Sequence, residues 1–127
     1  MNIEEFREYC LAKPGVTEEM PFGPDTLVFK VGGKIFALTD INTFASINLK
    51  CEPIKALQLR EEFAAIQPGY HMNKKHWNTV LVNGQIRYSL LLELIDHSYN
   101  LVYAGLSKSE KFKMLNNFYD DSSESSN

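Results

Sequence analysis

The spacing of hydrophobic residues changes along the chain, and each change predicts a different element. Near the start, Ile3, Phe6 and Cys10 recur at the interval of one helical face. Asn2 precedes them and Glu5 follows it by three residues, which is the spacing of a helix N-cap with a capping box. We therefore expect a first helix with this apolar stripe against the core.

Residues 26–39 alternate between apolar and polar positions around Gly32-Gly33, a pattern typical of a hairpin with a two-residue turn. Such a turn pairs Val31 with Lys34. The predicted core face then consists of alternate residues of both strands: Leu27, Phe29, Val31, Phe36 and Leu38. The other face is half apolar, so it is either partly covered or a contact surface.

Residues 77–88 predict a second hairpin, because Asn83-Gly84 is a strong hairpin-turn signal. In that register one face carries the larger side chains, and we expect it to consist of Trp77, Thr79, Leu81, Ile86 and Tyr88.

Shorter patterns supply the remaining elements. Residues 16–20 and 45–49 predict extended segments, and Pro53 opens a second helix in which Ile54 and Leu57 face inward. Ser89 caps a third helix, whose expected buried stripe is Leu91, Leu94, Ile95, Ser98 and Val102. A last short helix over residues 107–118 packs through Phe112 and Leu115.

The predicted fold is α+β, a two-layer sandwich. Its mainly antiparallel sheet consists of two hairpins plus one strand, with the helices on one face. A chain of 127 residues suits one domain, which we place at residues 1–119. Residues 120–127 contain acidic and polar residues only, so we expect a disordered acidic tail.

The composition indicates in which cellular compartment the protein is expected. Only Cys10 and Cys51 are present, which favours buried thiols in a reducing compartment over a disulfide scaffold. The sequence contains no apolar run near the roughly 18 residues of a membrane span, and its first residues do not resemble a leader peptide. We therefore expect a cytoplasmic protein without membrane contact.

The net charge of −3 is unevenly distributed. Residues 1–25 contain two basic and six acidic residues, whereas residues 26–88 contain eight basic and four acidic ones. One interpretation is a phosphate-facing surface in the middle of the chain. The other is that the basic residues pair with the acidic first segment.

Residues 70–77 combine two lysines, two histidines, an asparagine and two aromatic residues. Lysines can contact phosphates, and Tyr70 or Trp77 can stack on an unpaired base. Alternatively, the two aromatic residues anchor a plain solvated loop. The predicted nucleic-acid-binding residues are Lys50, Lys55, His71, Asn73, Lys74, Lys75, His76, Trp77 and Arg87.

Catalytic and metal chemistry have weak support in the sequence. His71 and His76 lack an adjacent acid or thiol, so no metal is expected. Asp96, His97 and Ser98 are consecutive on a helix and cannot face one another as a triad. We therefore expect no catalytic residues and no cofactor. A small-molecule binder or enzyme, with Cys51, His71 and His76 lining a pocket, remains an alternative.

Several segments resemble the MmcQ/YjbR family: residues 34–37 (KIFA), 48–51 (NLKC), 68–77 (PGYHMNKKHW), 96–102 (DHSYNLV) and the Phe22-Gly23 turn. The resemblance covers about residues 2–102. It implies a compact α+β domain likened to frataxin and to secretion chaperones, and a DNA-binding role through two hairpin wings. The predicted hairpins at residues 26–39 and 77–88 are then the candidate wings.

These observations together predict a non-enzymatic binding module, with DNA as the expected partner. A protein-interaction or chaperone-like module is the alternative, since a protein partner fits the half-apolar outer face of the first hairpin.

Overall fold

A computed structural model of the chain describes the backbone of residues 1–125 and the side chains of residues 1–116. The helices are α1 (Ile3–Leu11), α2 (Pro53–Glu62), α3 (Tyr88–Ala104) and α4 (Lys108–Ser125). The strands are β1 (Val16–Glu19), β2 (Thr26–Val31), β3 (Lys34–Asp40), β4 (Ser46–Lys50), β5 (Ile66–Pro68) and β6 (Trp77–Leu81).

These six strands form one sheet in the order β1-β2-β3-β4-β6-β5, and every neighbouring pair is antiparallel. Helix α3 packs on β2, β3 and β4, while α1 lies on β1 and α2 on β5. The predicted α+β class with an antiparallel sheet is confirmed.

The first helix follows its sequence signals. Asn2 Oδ1 accepts from the Glu5 amide at 2.8 Å, and the Glu5 carboxylate accepts from the Asn2 amide at 3.1 Å. Phe6 and Cys10 are fully buried. The Phe6 ring meets that of Phe29 edge-on at 5.3 Å, which joins α1 to the sheet.

The first hairpin forms, but its predicted register is wrong beyond the turn. Val31 pairs with Lys34 as expected, whereas a bulge makes Phe29 pair with Ala37. The bulge inserts Phe36 as an extra residue, which moves the following residues of β3 to the opposite face. Ala37 is therefore buried, and Leu38, expected in the core, is only half-buried.

The second predicted hairpin is wrong. Strand β6 pairs with β4 on one side and with β5 on the other, so no edge remains for residues 85–88. Residues 83–86 form a bend, with Gly84 at φ 84° and the Gln85 amide donating to Asn83 Oδ1 at 3.1 Å, and this bend leads into α3. Ile86 is buried, while Tyr88, expected on a sheet face, begins α3 and is exposed.

Two helices present other faces to the core than their apolar residues predict. In α2 the buried residues are Ala56 and Leu59, and Ile54 and Leu57 are exposed. The short helix is oriented by its contact with β5 and by the Arg60 hydrogen bonds described below, which outweigh its weak amphipathic pattern.

In α4 the predicted contacts are also wrong, because Phe112 and Leu115 are exposed. Met114 is buried instead, and its side chain fills the space left by Gly15, where a Cβ atom would lie 2.1 Å from Met114 Cγ.

Helix α3 buries its predicted stripe in full, together with Leu90 and Tyr99. Its N-cap is Arg87, without a capping hydrogen bond from the side chain, in place of the predicted Ser89. Helix α4 extends to Ser125, into the segment expected to be disordered, while residues 126 and 127 lie outside the described part. Where the domain ends and the tail begins stays a prediction.

Within the described residues, no helix combines the length and the hydrophobicity needed to cross a bilayer.

Candidate functional site

Residues 69–76 connect β5 to β6 and form a compact loop, called here the 69–76 loop. Its ends are closed by the Gly69 amide, which donates to the Trp77 carbonyl at 2.9 Å, and by the Trp77 amide, which donates to the Asn73 carbonyl at 3.0 Å. The Cys51 amide, directly after β4, donates to the His76 carbonyl at 2.8 Å. The loop is therefore fixed to the end of β4.

The base of the loop is held by Arg60 of α2, a residue that the sequence analysis did not single out. Its Nε donates to Asn78 Oδ1 at 2.6 Å, and its Nη2 donates to the carbonyl oxygens of Trp77, at 3.2 Å, and of Lys74. A planar guanidinium with several donors can satisfy three such acceptors at once, which an ammonium group does less well.

A second set of hydrogen bonds fixes the start of the loop. The Tyr70 amide donates to Thr79 Oγ1 at 2.9 Å, and that hydroxyl donates to Asn48 Oδ1 at 2.5 Å. Asn48 and Thr79 are directly opposite in the β4–β6 pair. The backbone at Tyr70 is thus held by two central strands of the sheet.

The four predicted lysines lie at this same end of the sheet. Lys50 is the last residue of β4 and pairs with Trp77, while Lys74 and Lys75 lie in the 69–76 loop. Lys55, in the first turn of α2, lies close enough to Cys51 to affect the pKa of its thiol. We call these four lysines together with the 69–76 loop the basic end.

Arg87, also predicted to belong to the site, lies elsewhere. It is the N-cap of α3, eleven residues before Ser98, whose hydroxyl accepts from the Lys50 amide. At 1.5 Å per helical residue, about 16 Å of helix separates Arg87 from that contact. Its Nε donates to Ser89 Oγ at 3.1 Å.

Two acidic residues of the first segment form ion pairs, Glu18 with Arg7 and Glu19 with Lys30. Within the described side chains, the ion pairs are Arg7–Glu18, Lys13–Asp96 and Lys30–Glu19, and none of them includes a lysine of the basic end. Lys30 is the residue of the basic middle segment that pairs with the first segment. The alternative that these acidic residues neutralise the basic middle therefore applies to Lys30 and not to the basic end.

One carboxylate does lie near Lys55. Glu52 is the N-cap of α2 and accepts from the amides of Ile54, at 3.0 Å, and Lys55, at 2.9 Å. These backbone hydrogen bonds lower the pKa of Glu52, so it is charged at neutral pH.

The other predicted residues differ in exposure. His71, Asn73, Lys74 and Lys75 are exposed, whereas His76 and Trp77 are half-buried. Asn73 Oδ1 accepts from the Lys75 amide at 2.9 Å, so this side chain shapes the loop. Trp77 packs beside Gly69, where a Cβ atom would lie 2.8 Å from that of Trp77, and this contact favours an anchoring role.

The two thiols are buried, as predicted. Burial raises the pKa of Cys51, and that of Cys10 to about 12, so both are protonated at neutral pH. The cavity beside Cys51 and His97 has a volume of about 10 Å³, room for about one water molecule. Glu52 donates its amide to His97 Nε2 at 3.1 Å, which gives this histidine a structural contact.

A larger groove, of about 370 Å³, lies between the β2–β3 turn, the start of β1 and α4. Its lining includes Leu11, Lys13, Val16 and Met114 but none of the predicted site residues. A small-molecule pocket formed by Cys51 and the loop histidines therefore has no support in the geometry.

Among the side chains that the structure describes, no three metal-ligating groups lie close together. The absence of a metal or cofactor stays a prediction.

Comparison with known proteins gives consistent matches. The sequence model of the YjbR family matches residues 11–101. The chain is 44% identical to uncharacterized protein YbdF of Escherichia coli O157:H7, covering 85% of this chain and 89% of that protein. It is 33% identical to uncharacterized protein YjbR of Escherichia coli K12, and this match covers 91% of this chain and 98% of that protein.

A solved structure is also similar. The crystal structure of Deinococcus radiodurans protein DR2400, which carries the domain DUF419, matches with a TM-score of 0.83 and 39% identity, covering 89% of this chain and 87% of that one.

Proposed function

The chain belongs to the YjbR family, and from the geometry of its basic end we propose that it is a non-enzymatic binding module for nucleic acid. The observation that supports the proposal is that Lys50 ends β4, that Lys74 and Lys75 lie in the loop fixed to that end, and that Lys55 lies in the first turn of the following helix. Polyanions bind such clusters through phosphate contacts and the release of counterions.

The mode of binding differs from the two-wing arrangement that the family resemblance implies. The β2–β3 hairpin lies inside the sheet, flanked by β1 and β4, and its turn packs against Leu106. Residues 77–88 form no hairpin. Neither segment protrudes as a wing, so the 69–76 loop is the element that presents donors to a ligand.

Salt-dependent binding tests the proposal. Labelled single strands and duplexes are titrated by fluorescence anisotropy at about 50 mM and about 200 mM salt. Binding that weakens as salt increases supports the proposal. No detectable binding at the lower salt concentration, or binding without salt dependence, contradicts it.

A matched pair of double variants localises the surface. Lys74→Ala with Lys75→Ala removes two charges from the basic end, whereas Lys108→Ala with Lys113→Ala removes two from α4. The first pair is expected to weaken binding and to flatten the logarithmic salt slope by roughly 1.4 to 1.8, the loss of two phosphate contacts. If the two pairs weaken binding equally, binding depends on net charge alone. That result overturns the assignment of the binding surface to the basic end.

A second candidate function is a protein-interaction module. Ile54 and Leu57, three residues apart on α2, are 67% and 58% exposed although apolar. The outer face of the first hairpin gives less support, because Val28 on that face is fully buried by its neighbours. Light scattering after chromatography, on the protein and on Ile54→Ser with Leu57→Ser, tests this candidate. A monomer in both cases, without a co-purifying partner, contradicts it.

A further inference from the structure

Tyr70 lies at the start of the 69–76 loop and is 69% exposed, unusual for an aromatic side chain in a fixed position. The centroid of its ring lies 4.0 Å from that of His71, with a tilt of 51° between the planes. His71 has φ 58°, a left-handed conformation that is uncommon for a residue with a side chain. The two rings together present a small aromatic platform to solvent.

Hydrogen bonds hold the backbone that carries the platform. The Tyr70 amide is bonded to the Thr79 hydroxyl, and through that hydroxyl to Asn48, while Gly69 is bonded to Trp77. Because the backbone is already ordered, little conformational freedom remains to be lost when a flat ligand stacks on the ring.

Positive charge lies beside the platform. Lys74 Nζ donates to the Gly69 carbonyl at 3.2 Å, one residue from Tyr70, and Lys75 follows it in the loop. An aromatic face next to a lysine ammonium group is an arrangement that binds a base and a flanking phosphate in single strands.

The aromatic platform favours a single strand over a duplex. A paired base is already stacked on both sides, so in a duplex Tyr70 gains no stacking partner and only the phosphate contacts of the lysines remain. The aromatic residue that reaches solvent at the basic end lies in the 69–76 loop, where an unpaired base can reach it.

We infer that the basic end binds single-stranded rather than double-stranded nucleic acid, with Tyr70 stacked on an unpaired base and Lys74 and Lys75 on adjacent phosphates. This inference rests on the proposed function. It adds the class of nucleic acid and the residue that recognises it.

The test compares a short poly-thymidine strand with a blunt duplex of equal length, each bound to the protein and to single variants. Tyr70→Ala is expected to weaken single-strand binding roughly 5- to 150-fold while keeping the salt slope. Tyr70→Phe keeps the ring and is expected to bind as the unchanged protein does. Tyr88→Ala, an exposed tyrosine at the start of α3, is the matched control. Circular dichroism verifies that each variant is folded.

The outcomes separate this inference from the proposed function. Duplex binding as tight as single-strand binding overturns the inference and leaves the proposed function in place. Equal effects of Tyr70→Ala and Tyr88→Ala overturn the stacking role. Absence of binding to either nucleic acid overturns both proposals.

Discussion

The guanidinium of Arg60 on α2 donates a hydrogen bond of 2.6 Å from its Nε to the side-chain oxygen Oδ1 of Asn78 on β6. Asn78 is 2% exposed, and its Oδ1 accepts this hydrogen bond from Arg60. The same guanidinium donates to two backbone carbonyls, those of Lys74 and Trp77. One side chain therefore joins a helix to the base of the 69–76 loop.

Arg60→Ala is expected to destabilise the protein by about 1–3 kcal/mol, because it leaves a buried acceptor without a partner. Urea unfolding measures the change, and faster amide exchange at His76 and Trp77 reports the loosened loop. Gln58→Ala, an exposed position on the same helix, is the control and is expected to change stability by less than about 0.5 kcal/mol. Similar losses for both variants contradict the role given to Arg60.

Gly69 approaches the backbone of Trp77 too closely for a side chain. A Cβ atom there would lie 2.9 Å from the Trp77 carbonyl oxygen, so Gly69→Ala is expected to cost about 1–3 kcal/mol. At Gly105 the nearest atom to a Cβ is 3.5 Å away and φ is −80°, so Gly105→Ala is expected to be neutral or to stabilise by up to about 1 kcal/mol. Thermal or urea unfolding of the two variants compares them, and equal destabilisation argues against the close contact.

Local signals in the sequence predicted local structure well. Gly32 and Gly33 have φ of 59° and 79°, as a tight hairpin turn requires, and the Asn2 cap of α1 forms. The bulge at Phe36 could not be read from the pattern, because Phe36 and Ala37 are both apolar and either can face the core.

Long-range pairing was the part that the sequence did not reveal. Gly84 has a positive φ, but Asn83 does not, so the predicted two-residue turn does not form, and β4 and β5 pair with β6 in place of residues 85–88. At the site, the adjacent Lys74 and Lys75 could be recognised in the sequence as a basic cluster. The role of Arg60 in holding the 69–76 loop could not be recognised. Two of its acceptors are backbone carbonyls, 14 and 17 residues away, which carry no sequence signature.

Ser98, predicted as a small packing residue on the buried stripe of α3, is also a hydrogen-bond bridge. Its hydroxyl accepts from the Lys50 amide at 2.8 Å and donates to the Phe36 carbonyl. These backbone groups lie one position beyond the last β3–β4 pair, Ala37 with Leu49. The serine thus satisfies the two groups that the ladder leaves open beside the bulge.

Ser98→Ala is expected to destabilise the protein by about 1–3 kcal/mol, since both backbone groups are left without this partner in a fully buried position. Ser89→Ala, at an exposed position of the same helix, is expected to change the free energy of unfolding by less than about 0.5 kcal/mol. Urea unfolding provides both values. A loss at Ser98 no larger than that at Ser89 contradicts the bridging role.

His97 links stability to pH. Burial, and then the charge of Lys55, lowers the pKa of His97 below 6.5, although Glu52 acts in the opposite direction. The unfolded chain, with an ordinary histidine pKa of about 6.5, then takes up this proton at a higher pH than the folded protein does. The stabilisation that neutral His97 gives to the folded protein is therefore fully present above about pH 6.5. It is lost as the pH falls toward the lower pKa of the folded state.

His97→Gln removes the titrating group, so the free energy of unfolding of this variant is expected to fall less below about pH 6.5 than that of the unchanged protein. Urea unfolding at a series of pH values measures both profiles. A measurement at about pH 8, where histidine is neutral, gives the cost of the substitution itself. Because that cost shifts the whole profile and the titration changes its slope, parallel profiles below about pH 6.5 contradict the assigned direction of the pKa shift.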